Sequence, residues 1–121
     1  MTNNSETGSG FRLPSDFERS LFGRMMSRDF PGRNELQAQL QHVEVEAIDS
    51  YGSLRLSTSP LARPAPVKAR VPVEAVGHDS DGVPVYFLLH VVDGFASELE
   101  IYKADGSQIL SMPPLDEIDL T

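Results

Sequence analysis

Three Asp-Gly dipeptides in "VGHDSDGVPVYFLLHVVDGFASELEIYKADGSQ", residues 76–108, set glycines at positions 82, 94 and 106, twelve residues apart. Between them stand two long runs, "VPVYFLLHVV" and "FASELEIYKA". Asp closes a local hydrogen bond with its own backbone and Gly takes a positive φ without steric cost, so these dipeptides read as corners between antiparallel strands. A calcium loop is the competing reading. It needs D-x-D-x-D-G with Glu at the twelfth position, and aligning Gly82 as the glycine puts Gly77 first and Leu88 last. "HDSD" therefore lacks both anchoring ligands, and the corner reading is kept.

A three-residue loop of Val92, Asp93 and Gly94 would set Val91 opposite Phe95, Leu89 opposite Ser97 and Phe87 opposite Leu99. One face then holds Val85, Phe87, Leu89, Val91, Phe95, Leu99 and Ile101. The other carries Tyr86, Leu88 and His90 beside Glu98, Glu100 and Tyr102. "VYFLLHVV" is apolar on both sides, which predicts a central strand.

Upstream, the period changes. In "LPSDFERSLFGRMMSR", Ser15 and Glu18 form a capping box, and Phe17, Leu21 and Met25 recur at helical spacing, predicting a helix over 16–28. Pro31 in "DFPG" ends it, because it disfavours a helical Phe30 and has no amide proton. A second helix over about 33–41 places Leu36 and Leu40 on one side. "HVEVEAID" and "SLRLST" alternate around "SYG" and predict a β-hairpin. The proline-rich "PLARPAP" leads to "VKARVPVEAV", read as a strand whose Pro72 argues for a sheet edge.

The expected fold is therefore α+β: an N-terminal helical hairpin packed on one face of an antiparallel meander sheet of about five to six strands. Helix residues Phe17, Leu21, Met25, Leu36 and Leu40 are expected to cover Phe87, Leu89, Leu99 and Ile101. A chain of 121 residues supports a single core. The expected organisation is a disordered leader over 1–12, one domain over 13–113, and an acidic tail over 114–121 that docks on the body through its apolar residues.

Charge narrows the partners. Residues 1–70 hold eight acids and nine bases, whereas residues 71–121 hold ten acids and Lys103 as the lone base. A C-terminal half of this kind repels nucleic acid and anionic lipid and attracts a basic protein. No apolar run approaches the ~20 residues of a membrane helix, and "MTNNSETGSG" has no secretory pattern. With no cysteine, disulfides and thiolate chemistry are excluded, and the expected location is the cytoplasm.

Catalytic signals are sparse. Glu98 and Glu100, two apart on one strand, point the same way about 7 Å from each other, a spacing that paired acids use in glycosidases. Solvated strand faces carry such pairs too, and an open face raises no carboxyl pKa. His42, His78 and His90 show no HxH or HExxH spacing, so neither a metal nor a cofactor is expected. No P-loop, GxSxG or GxGxxG sequence is present. Arg19, Arg24, Arg28 and Arg33 are read as a solvated helix face.

The run "RDFPGRNELQAQLQHVEVEAIDSYGSL", with "VPVEA", "DGVPVYFLLHVVDG" and "ELEIYKADGSQI", resembles a family of small stand-alone bacterial domains of unknown function, over about residues 12–113. The resemblance implies a single domain with helices first and an antiparallel sheet after them. It implies no catalytic or binding residue.

The leading functional reading is an acidic protein-binding module, with an immunity-type inhibitor as one form, engaging a basic partner through Tyr86, Leu88, His90, Glu98, Glu100 and Tyr102. Two alternatives stand beside it. One is a small hydrolase-like enzyme using the Glu pair and His90. The other is a homodimerising domain that buries Tyr86 and Leu88 against a second copy.

Overall fold

A computed structural model describes residues 10–121. Residues 1–9, the greater part of the expected leader, lie outside the described residues. Arg12 is already part of the body. Its backbone exchanges two 2.8 Å hydrogen bonds with Val45, and its guanidinium grips Glu18 at 2.7 and 2.9 Å.

Helix α1 spans Asp16–Met25 and helix α2 spans Arg33–Leu40. The capping box forms as expected: the Ser15 hydroxyl accepts from the Glu18 amide at 3.1 Å, and Glu18 accepts from the Ser15 amide at 2.8 Å. The first helix stops at Met25 rather than at residue 28. There the Ser27 hydroxyl donates to the Arg24 carbonyl at 2.6 Å and competes with continued helix. Leu21, Phe22 and Met25 face inward, as do Leu36 and Leu40 of α2. Phe17 does not. It is 39% exposed, and it borders an open cleft with Leu21, Leu54, Leu99, Ile101 and Met112.

Six strands form one antiparallel sheet: β1 Glu44–Ala47, β2 Leu54–Ser57, β3 Val73–His78, β4 Pro84–Val92, β5 Phe95–Lys103 and β6 Asp119–Leu120. Their spatial order is β1-β2-β5-β4-β3-β6. Strands β3 to β5 follow one another as a meander, but β2 lies against β5, with Leu54 opposite Leu99. The two helices pack against the inner face of the sheet. Segment 67–72, expected as the first half of a strand, lies outside the sheet: β3 begins at Val73, just after Pro72, which has no amide to donate to a ladder. Nor is β3 an edge, since β6 pairs beyond it through Ala75 and Val76. Segment 114–121 contributes this last strand and the fully buried Ile118.

The β4–β5 connection is tighter than a three-residue loop. Asp93 at φ 53° and Gly94 at φ 86° make a two-residue turn in which Val92 faces Phe95. Asp tolerates the left-handed region, so Val92 is released to pair. Ala96 then faces Val91 and takes the core position expected for Phe95, which is only partly buried. A bulge follows between the Val91–Ala96 and His90–Glu98 pairs, with Ser97 as the extra residue. The bulge resets the alternation. Beyond it Leu89 faces Leu99 and Phe87 faces Ile101, all buried, and the two sheet faces are otherwise as assigned.

Candidate functional site

Both helices lie on the inner face of the sheet, and the six expected binding residues all stand on the outer one. Tyr86, Leu88 and His90 project from β4; Glu98, Glu100 and Tyr102 project from β5. Cross-strand register pairs Tyr86 with Tyr102, Leu88 with Glu100, and His90 with Glu98. The tyrosine rings stack with centroids 5.2 Å apart and planes inclined by 27°. Offset aromatic pairs of this kind stiffen a surface before anything binds it.

His90 is fixed at both ring nitrogens. Its Nε2 lies 2.8 Å from Glu100 Oε1, and Arg70 Nε donates to its Nδ1 at 3.1 Å. Arginine can only donate, so Nδ1 is the acceptor and the imidazole proton sits on Nε2, donated to Glu100. The bulge sets Glu98 directly opposite His90 and leaves the hydrogen bond to Glu100, the next residue along the same face. Glu98 has no hydrogen bond or ion pair among the described residues. Arg55, across from it on β2, is engaged by Glu46 at 2.6 Å.

Three residues enter that sequence spacing did not flag. Arg70 reaches His90 from the irregular segment before β3, a contact set only by tertiary folding. Asp79 and Lys103 form an interior ion pair behind the opposite face. Lys103 had a legible signal, because it continues the inward alternation of Leu99 and Ile101. Its Nζ lies 2.9 Å from Asp79, 2.7 Å from Asp81 and 3.0 Å from the Gln108 carbonyl. "HDSD" thus holds a cation after all, and it is this lysine ammonium.

Asp79 also accepts from the amides of Ser80, Leu110 and Ser111 at 2.6, 2.7 and 2.8 Å. Burial would push its carboxyl up, but Lys103 and the three amides together hold it well below the usual carboxylate range. The Asp81 hydrogen bond, opposed by burial and aided by Asp79, raises Lys103 above the ordinary lysine value. This cluster pins the chain after β5. It presents nothing to solvent that could react.

Neither Glu98 nor Glu100 lines the clefts that the described residues form beside α1, α2 and the inner sheet face. A cavity of about 710 Å³ lies between α2 and segment 59–63, and it contains none of the six outer-face residues. Arg55 on β2 and Arg70 stand around the outer face with Glu44 and Glu46 on β1 and Glu74 on β3, opposite Leu88, and Arg55 is paired with Glu46. The arrangement is an aromatic and aliphatic patch within a border of five glutamates and two arginines.

No helix among the described residues is long and apolar enough to cross a membrane. Over residues 11–113 the chain matches a family described as a domain of unknown function (DUF6984), and it belongs to that family. No protein of curated function and no solved structure matches it.

Proposed function

We propose that this member of a family of domains of unknown function is a binding module whose outer sheet face takes a basic protein surface. The observation that supports this most is the stacked Tyr86–Tyr102 pair beside Leu88, bordered by Glu44, Glu46, Glu74, Glu98 and Glu100. Stiff aromatics give contact area at low entropic cost, and the carboxylates complement a cationic partner and steer its approach. Inhibition of a basic toxic enzyme, as an immunity-type protein does, is the form of this function that the charge favours.

The face is ill suited to self-association. A two-fold pairing sets the same patch against itself, so the acidic border of one copy meets that of the next. The partial exposure of Glu98 and Glu100 disfavours hydrolase chemistry, which requires one carboxyl to be desolvated. A cysteine-free chain suits a reducing compartment, so we place the module in the cytoplasm. The test is affinity capture with the purified chain, comparing wild type with the Glu98→Lys/Glu100→Lys double variant. A partner retained equally by both would overturn the reading.

A further inference from the structure

We infer that His90, Glu98 and Glu100 form a site for a first-row divalent cation of the zinc class on the outer sheet face. One ligand atom from each residue lies within 4.8 Å of the other two. Ligands around tetrahedral zinc, at bond lengths of ~2.0–2.1 Å, stand about 3.4 Å apart, so the three atoms need to close by roughly 1.5 Å at most. Torsions of two glutamate side chains on an open face supply that without moving the strands.

The charge balance favours such an ion. Of the two carboxylates only Glu100 bonds the imidazole, and Glu98 has no partner among the described residues, with Arg55 committed to Glu46. The donor set selects the metal class. Imidazole with two carboxylates suits zinc and its neighbours, whereas calcium seeks six to eight oxygens and magnesium keeps its waters in an octahedron. Three protein ligands leave a fourth position open to water or to another molecule's side chain.

Arg70 opposes the ion. Coordination through Nε2 requires that nitrogen's lone pair, so the imidazole proton must move to Nδ1. There it would meet the Arg70 Nε–H, donor against donor. Arg70 is exposed and can swing outward, so its loss should favour the metal. A mere hydrogen-bonding role for the triad predicts no such gain.

The inference is independent of the partner reading, because it is tested on the chain alone. The probe is zinc chloride titrated calorimetrically into metal-stripped protein, with cobalt absorption spectra reporting the ligand geometry. One ion per chain is expected. Losing even an outer-shell partner costs about 10- to 100-fold in metal affinity, so His90→Gln, Glu98→Gln and Glu100→Gln should each weaken binding by at least about tenfold. Circular dichroism checks that each variant folds. Arg70→Ala should tighten binding, and Asp29→Asn, at an exposed carboxylate away from the sheet face, should leave it unchanged. Absence of saturable one-to-one binding would overturn the site, as would zinc affinity that survives His90→Gln or falls with Arg70→Ala.

Discussion

Lys103 Nζ stands 2.9 Å from Asp79 Oδ2, with the two side chains only 1% and 0% exposed. Both charges are compensated, and the Asp79 carboxylate also carries the amides of Leu110 and Ser111. Removing one member leaves the other charged and buried, which is strongly destabilising. Lys103→Met and Asp79→Asn should each lower the melting temperature clearly. The double variant should recover only in part, because asparagine keeps one acceptor oxygen where the carboxylate offered two, one to Leu110 and one to Ser111. Millimolar calcium should leave wild-type melting unchanged, since the ammonium already occupies the position between Asp79 and Asp81 that a cation would take. A calcium-dependent rise would refute that account of the segment.

The same pair fixes a pH dependence. Asp79 is held below its ordinary value of 3.8, so its contribution is fully present above that value and is lost as pH falls towards the folded one. Lys103 is raised above 10.5, so its contribution is fully present below 10.5 and is lost as pH rises through the folded value. Neutral pH keeps both. Urea unfolding at a series of pH values should show an acid limb that begins near the ordinary Asp value, and Asp79→Asn should flatten it.

Gly94→Val should be far more damaging than Gly82→Ala. Both glycines have positive φ, which costs an L residue ~1–2 kcal/mol. A Cβ on Gly94 would also meet Pro64 Cβ at 2.7 Å and the Ala65 carbonyl at 2.9 Å, whereas at Gly82 it meets nothing within 4 Å. Thermal melting of the two variants tests the difference, and equal losses would mean that the turn can move away from the proline-rich segment.

Leu89→Ala should cost about 2–5 kcal/mol, the range for truncating a fully buried leucine. Leu88→Ala, on the outer face of the same strand, should cost well under half as much. Urea denaturation distinguishes them.

For a captured partner, Glu98→Lys/Glu100→Lys should act mainly by slowing association, while the fold persists. The wild-type on-rate should fall as salt is raised, since screening shortens the reach of the acidic border. Surface plasmon resonance at several ionic strengths measures both. An on-rate indifferent to salt would move the binding surface elsewhere.

Periodicity made much of this architecture legible. Helix positions Leu21, Met25, Leu36 and Leu40, and the inner face of Phe87, Leu89, Leu99 and Ile101, all follow from local spacing, as do the three Asp-Gly corners. What escaped was non-local. Nothing in the spacing announces the Ser97 bulge, because the extra residue is known only once both strands are paired. The approach of Arg70 to His90 and the placing of β2 beside β5 depend on how distant segments dock. Phe17 misled for a related reason: it has the right period on α1, but it borders an open cleft above Leu54, Leu99 and Ile101 instead of filling the core.

The strand order also governs how the chain finds its fold. Hairpins β3–β4 and β4–β5 close through short turns, but Leu54 meets Leu99 only after 45 intervening steps (99 − 54) of chain. Contacts so distant in sequence must overcome loop-closure entropy before they are rewarded, and topologies rich in them fold slowly. The β3–β5 meander is therefore expected to nucleate first, with the β1–β2 hairpin and both helices condensing onto it afterwards. Substitutions at Phe87 should then slow refolding, whereas substitutions at Val45 should chiefly speed unfolding, a contrast that stopped-flow kinetics can read directly.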